Sequence, residues 1–216
     1  MKKAAIFDMD GLMFDTERIW KDNWNTIVPR YGFEPDPTFP REICGTSGEH
    51  TLEVIRKHYP GIDAEAYRDD VRARVSAATT DSVPEKEGLH ELVDFFKEHG
   101  VKIAVASSSQ FKKIEHFLRL SGLYDKFDYM ISGESLKNGK PAPDIFLLAA
   151  EKIGIDPKDC YVLEDGLNGL MAGIAAGCAT IMVVDLTEPN DFARENCVGI
   201  YNSLVEVRDA IAAGDI

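Results

Sequence analysis

The run Ala4-Ala5-Ile6-Phe7, ended by Asp8-Met9-Asp10-Gly11, constrains this chain more than any other stretch. Four apolar residues in succession suit a short strand buried on both faces, and two acids followed by a glycine mark its end. Strands of that kind belong to parallel sheets covered by helices. In an open parallel sheet, ligands bind beyond the carboxyl ends of the strands, so Asp8 and Asp10 are expected on a binding rim.

The alternation that such a sheet needs begins at Pro84. Strands are predicted at 101–106, 129–131, 160–163 and 180–184, separated by helices that close at Gly100, Ser121-Gly122, Gly154 and Gly177. A last helix, Ser203 to Ala212, opens with Ser203-x-x-Glu206, the form of a capping box.

Between the first strand and Pro84 the pattern is helical. Thr16 to Tyr31 carries Ile19, Trp20, Trp24, Ile27 and Val28 at helical spacing, and Gly32 stands where a C-terminal cap belongs. Trp20 and Trp24 are expected to fill a core. Phe33 to Pro40 has no period and reads as a loop. Thr46-Ser47-Gly48-Glu49 predicts the start of a second helix, ended by Pro60-Gly61, and a third starts near Asp63 and carries Tyr67, Val71 and Val75. The expected fold is α/β. A Rossmann-like parallel sheet core, residues 1–15 and 82–216, has helices on both faces, and a small α-helical domain, residues 16–81, is inserted after the first strand.

The formal net charge of −13 over 216 residues, with a pI near 4.8, opposes binding to phosphate backbones and anionic lipid. Neither nucleic acid nor membrane is an expected partner. An acid at position 8 interrupts any signal-like apolar run, and no stretch reaches the ~18 apolar residues of a membrane span. Cys44, Cys160, Cys178 and Cys197 are widely spaced, which predicts reduced thiols in a cytoplasmic protein rather than a zinc or redox centre.

The residues after each strand form a set: Asp8 and Asp10, Ser107, Glu164 and Asp165, with Lys140 in the loop Asn138-Gly139-Lys140-Pro141-Ala142-Pro143. Carboxylates gathered on one sheet edge repel and raise one another's pKa unless a cation lies among them. Oxygen ligands with open positions suit Mg²⁺, which keeps waters and a substrate phosphate around it. A carboxylate nucleophile can accept a phosphoryl group, and Mg²⁺, an ammonium and a hydroxyl can compensate the charge on the transferring oxygens.

Asp8-Met9-Asp10-Gly11, Ser107 after an apolar strand, Lys140 in Gly-Lys-Pro-Ala-Pro-Asp and Glu164-Asp165-Gly166 resemble the four ordered motifs of the haloacid dehalogenase superfamily. The helical insert looks like the cap domain of its phosphatase and β-phosphoglucomutase-like branch. The resemblance implies that Asp8 is nucleophile and metal ligand and that Asp10 is general acid and base, its main-chain carbonyl also binding metal. It implies that Ser107 and Lys140 hold the phosphoryl group, that Asp165 completes the Mg²⁺ shell and that Glu164 is a direct or water-mediated ligand. Ser108, Ser109 and Gln110, at a helix N-terminus, add candidate phosphate contacts. Ser107 or a neighbouring serine is alternatively a plain helix cap.

Asp10 favours phosphate chemistry over dehalogenation, since an alcohol leaving group needs a proton. The mutases of this branch resemble the chain less: Trp20 and Gly48 stand where they carry a histidine and an arginine. The expected protein is therefore a monomeric Mg²⁺-dependent phosphatase acting on a small phosphorylated metabolite of sugar or polyol type, with the cap excluding water. A mutase and a non-catalytic phosphosugar-binding protein are the alternatives, and a receiver-like switch fits poorly because its acceptor follows a middle strand. Arg41 and His50, near the loop around Gly45, are candidates for specificity or for plain solvated surface.

Overall fold

A computed structural model describes residues 1–44, 46 and 48–216, save the side chain of Ser135. Ser47 of the predicted capping signature, and Gly45, lie outside the described residues. The chain divides into two compact units, Met1–Asp15 with Pro84–Ile216, and Thr16–Val83.

In the first unit the strands are β1 (Ala4–Phe7), β2 (Lys102–Ser107), β3 (Tyr129–Ser132), β4 (Cys160–Glu164), β5 (Ala179–Val183) and β6 (Gly199–Tyr201). They form one sheet in the order β3-β2-β1-β4-β5-β6, parallel throughout. The strand order reverses between β1 and β4, which makes that position the switch point where a crevice opens in such sheets. Phe7 pairs in register with Val105 of β2 and Leu163 of β4. Asp8 and Glu164 therefore emerge side by side, with Ser107 one residue further along β2.

Helices of the helical unit are α1 (Thr16–Ile27), α2 (Phe39–Ile43), α3 (Gly48–His58) and α4 (Ala64–Ala78); those of the sheet unit are α5 (Leu89–Glu98), α6 (Phe111–Leu120), α7 (Asp144–Ile153), α8 (Leu167–Ala175), α9 (Asp191–Asn196) and α10 (Leu204–Ala213). Successive strand residues face opposite ways. Ala4 and Ile6 pack with Phe146 and Ala149 of α7 and Ala172 of α8. Phe7 turns the other way and meets Phe96 of α5 and Phe127 edge-on, with ring centroids 6.0 and 5.6 Å apart. Apolar side chains on both faces explain why β1 has no polar residue.

Three elements were not predicted. α2 begins inside the segment expected to be a loop, and its proline lies in the first turn, where no amide hydrogen is needed. β6 is a half-buried edge strand of three residues, too short for a period. α9 is a six-residue helix capped by Asn190, whose side chain accepts from the Ala193 amide. Two helices begin at residues where a start is expected, each capped by a side chain. Asp63 accepts from the Ala66 amide at 3.0 Å, and Ser203 accepts from the Glu206 amide at 3.2 Å. Glu206 reaches back to the amide of Asn202 rather than that of Ser203.

The helical unit has an aromatic core. Trp24 packs edge-on against Phe39 and Tyr67 at 5.6 and 5.1 Å, and half-buried Trp20 lies 5.9 Å from Trp24. The Tyr67 hydroxyl donates to the Trp24 carbonyl at 2.8 Å, which satisfies a buried polar group. At the edge of this core His58, its side chain 8% exposed, bonds Asp36 through Nδ1 and Glu42 through Nε2, each at 2.7 Å.

Burial would lower the His58 pKa, but the hydrogen bonds and charges of Asp36 and Glu42 outweigh it and hold it above 6.5. The His58 hydrogen bond in turn holds Asp36 well below the ordinary carboxylate range. Linkage fixes the signs. The histidine's contribution is fully present below 6.5 and is lost as pH rises through its raised value. The Asp36 contribution is present above 3.8 and is lost as pH falls through its lowered value. His58→Gln should therefore lower the unfolding midpoint at pH 5.5 and cost much less at pH 9. Both tryptophans of the chain lie in this unit, so their fluorescence reports its unfolding; an equal loss at both pH values would refute the charged bridge.

The four cysteines are free thiols. No described helix is long and apolar enough to cross a membrane.

Candidate active site

The carboxyl ends of β1, β2 and β4 deliver Asp8, Ser107 and Glu164 to one edge of the sheet, and all three side chains are buried. Lys140 arrives from the loop before α7. Its ammonium donates to Asp8 Oδ1 at 2.5 Å, to Glu164 Oε1 at 2.7 Å and to the Ala106 carbonyl at 3.3 Å. All three donors of the ammonium are thereby used on the sheet edge.

Burial pushes the Asp8 carboxyl above the ordinary range; Lys140 pulls it back, and Glu164 and Asp10 push it up again. Burial alone would lower the Lys140 pKa, but the charges of Asp8 and Glu164 overcome it and keep the ammonium protonated above the ordinary lysine range. The pair is thus a buried ion pair set beside surplus negative charge.

Asp8, Glu164 and Asp165 each offer a carboxylate oxygen, and these oxygens lie within 4.8 Å of one another. The donors are all oxygen, which suits a hard divalent cation rather than zinc or copper. Lys140 bonds two of these carboxylates, Asp8 and Glu164, so a divalent cation among the three would add to the positive charge that a single ammonium supplies. Two glycines make room for these acids. A Cβ on Gly11, whose φ is +89°, would come within 2.3 Å of Asp165 Oδ2. A Cβ on Gly169 would fall 1.6 Å from Glu164 Oε1, so the small-residue start of α8 serves the carboxylate beneath it. The donor set and the space around it fit a divalent metal.

Glu164 is also the anchor of its own loop. Its Oε2 accepts from the amides of Asp165 and Gly166, both at 3.0 Å, while Oε1 takes Lys140. At most one lone pair remains for a cation.

Asp10 lies outside the three-carboxylate group. Ser109 Oγ donates to its Oδ2 at 2.6 Å and Lys113 Nζ donates to its Oδ1 at 2.7 Å. The three serines after β2 separate by role. Ser107 Oγ accepts from the Ser109 amide at 3.0 Å, so it caps its own loop and not α6, whose N-cap is Gln110. With an amide on the oxygen, its hydroxyl proton can be given to an anion. Ser108 is exposed, and Ser109 turns to Asp10. Lys113, in the first turn of α6, was not anticipated because a lysine on a helix ordinarily faces solvent. The spacing of four residues from Ser109 is the one feature of the sequence that could have pointed to it.

In the helical unit His50 is exposed and pairs with Glu53 at 3.2 Å, and Arg41 is exposed.

The chain as a whole resembles known proteins. The family model described as haloacid dehalogenase-like hydrolase matches residues 5–183. Hexitol phosphatase B of Escherichia coli is 33% identical over 193 residues, 87% of this chain and 86% of that protein. A fructose-1-phosphate phosphatase of the same organism is 33% identical over 183 residues, 83% of this chain and 95% of its own. A crystal structure of a HAD family hydrolase from Deinococcus radiodurans, with bound phosphate and sodium, is 27% identical and superposes with a TM-score of 0.80, covering 100% of this chain and 97% of that one.

Proposed function

Because the chain belongs to the haloacid dehalogenase-like hydrolase family, we propose that it is a phosphatase that hydrolyses a small phosphomonoester of sugar or polyol type through an aspartyl-phosphate on Asp8. The observation that carries this reading is the buried Lys140 bridge between Asp8 and Glu164, beside the three-carboxylate group. The names of the two Escherichia coli relatives support the substrate class.

In this reading a carboxylate oxygen of Asp8 attacks phosphorus and the ester P–O bond breaks. Asp10 gives its proton to the departing alkoxide. It then takes a proton from water, whose oxygen attacks the phosphorus; the bond to Asp8 breaks, inorganic phosphate leaves and both carboxyls are restored. Lys140 neutralises Asp8 and the phosphoryl oxygens, and the Ser107 hydroxyl donates to one of those oxygens. Ser108, exposed before α6, is a further phosphate contact. Asp8, Asp165 and the Asp10 main-chain carbonyl, with Glu164 directly or through water, would hold Mg²⁺. When bound, the ion supplies positive charge opposite the transferring oxygens. The helical unit is assigned the role of cap. The same reading takes the protein to be a cytoplasmic monomer, with a net charge of −13 that discourages binding to nucleic acid or membrane.

Phosphate release is measured on hexose, hexitol and pentose phosphates with Mg²⁺ and again after chelation. β-Glucose 1-phosphate is incubated in parallel and assayed for glucose 6-phosphate. Release from at least one substrate, lost on chelation and regained with Mg²⁺, is expected. Full activity in chelator would remove the metal, and glucose 6-phosphate without phosphate release would replace the hydrolase by a mutase.

A further inference from the structure

We infer that Lys113 is a positioning residue for Asp10, acting with Ser109 to fix the direction in which that carboxyl gives and takes its proton. The inference rests on the reading of Asp10 as the proton carrier and adds to it the side chains that aim it.

Asp10 accepts from two residues four positions apart: Ser109 Oγ on Oδ2 at 2.6 Å and Lys113 Nζ on Oδ1 at 2.7 Å. Lys113 also donates to Ser109 Oγ at 3.2 Å, closing a three-membered network. A carboxylate oxygen has two lone pairs, so a single donor orients an oxygen without by itself using both. A donor on each oxygen holds the carboxyl in one orientation.

The two donors are themselves braced. The Ser109 carbonyl accepts from Ser132 Oγ at 2.6 Å, which ties the loop after β2 to β3. Lys113 Nζ lies 5.2 Å above the Phe117 ring, and Phe117 packs edge-on against Phe14 at 5.4 Å. Phe14 closes the turn that follows Asp10: its carbonyl accepts from the Gly11 amide at 2.9 Å. The lysine that holds Asp10 therefore rests on the same turn that carries Asp10. Side-chain exposures of 29% for Lys113 and 20% for Asp10 separate this pair from a solvated surface bridge.

Lys113→Met keeps the side-chain stem and its contact with Phe117 but removes the donor. Leaving groups discriminate between the roles. The kcat/KM value covers steps through departure of the alcohol; an alkyl phosphate needs the Asp10 proton there, whereas p-nitrophenyl phosphate expels a stable phenolate. With Lys113→Met, kcat/KM for the best sugar or polyol phosphate should fall at least ~10-fold, the lower part of the general acid contribution. For p-nitrophenyl phosphate it should stay within about twofold. Its kcat should fall, because Asp10 still has to activate water, and nitrophenolate should appear as a burst equal to the enzyme concentration.

Lys113→Arg should recover the alkyl substrate, and Lys113→Leu, which also has no donor, gives the same readout should the methionine variant fold poorly. Equal losses on both substrates, or no loss on either, would overturn the inference. Asp10→Asn measured alongside separates the two levels. If it discriminates between leaving groups and Lys113→Met does not, the role of Lys113 alone falls. If Asp10→Asn does not discriminate, the proton-carrying role falls and the positioning role with it.

Discussion

Asp8→Asn is expected to abolish turnover, by at least about 10⁴-fold, while the protein stays folded. The amide keeps the shape of the carboxylate, and its oxygen can still accept from Lys140, which also keeps its bonds to Glu164 and to the Ala106 carbonyl. What is lost, in the proposed mechanism, is the anionic oxygen that would form the bond to phosphorus. Stability should hold or rise, because burial disfavours the charged form of Asp8 and the variant no longer carries that charge. Two measurements check this. Urea unfolding should give a midpoint equal to or above that of the parent. Acid quenching during turnover of a ³²P-labelled substrate should trap hydroxylamine-sensitive label on the parent protein and none on the variant. A folded, active Asp8→Asn protein, or label on it, would end the covalent step.

The site was legible in the sequence where chemistry coincides with a local break in pattern. Asp8, Ser107 and Glu164 each follow an apolar run, and a polar residue at the end of a buried strand stands out against the run before it. Lys140 stood out through its glycine and prolines. Long-range contacts were not legible. Gly169 resembles any small residue on a packed helix until the Glu164 carboxylate is placed 1.6 Å from its absent Cβ. Lys113 reads as solvated helix surface until the fold brings α6 against the turn after β1. Serines 107 to 109 could not be told apart in sequence, since any of them can cap a loop or bind an anion; the Ser109 amide on Ser107 and the Ser109 hydroxyl on Asp10 divide them. α2, α9 and β6 escaped for a different reason. Elements of five, six and three residues are shorter than the window in which a period becomes visible.

Lys140→Met should be the most damaging change to stability at this site, and its cost should depend on what else occupies the sheet edge. The lysine is 9% exposed and pairs with side chains of Asp8 and Glu164 that are 10% and 4% exposed. Removing one member of a buried ionic cluster leaves the others desolvated and unpaired, which costs about 3 kcal/mol or more. In chelator, where no cation compensates Asp8 and Glu164, that full cost should appear in urea unfolding. Saturating Mg²⁺ should recover part of it if the ion is held as proposed, since a cation there would compensate the same carboxylates. Turnover should fall about 10²–10³-fold even with the ion present, because the phosphoryl oxygens lose a fixed positive donor. The cause can be isolated by a cycle. In an Asp8→Asn background one of the two buried charges is already gone, so Lys140→Met should cost distinctly less than in the parent, and the difference is the coupling between the two side chains. Equal costs in both backgrounds would mean that Lys140 stabilises the fold through its contact with the Phe146 ring, 5.0 Å away, and not by balancing the carboxylates.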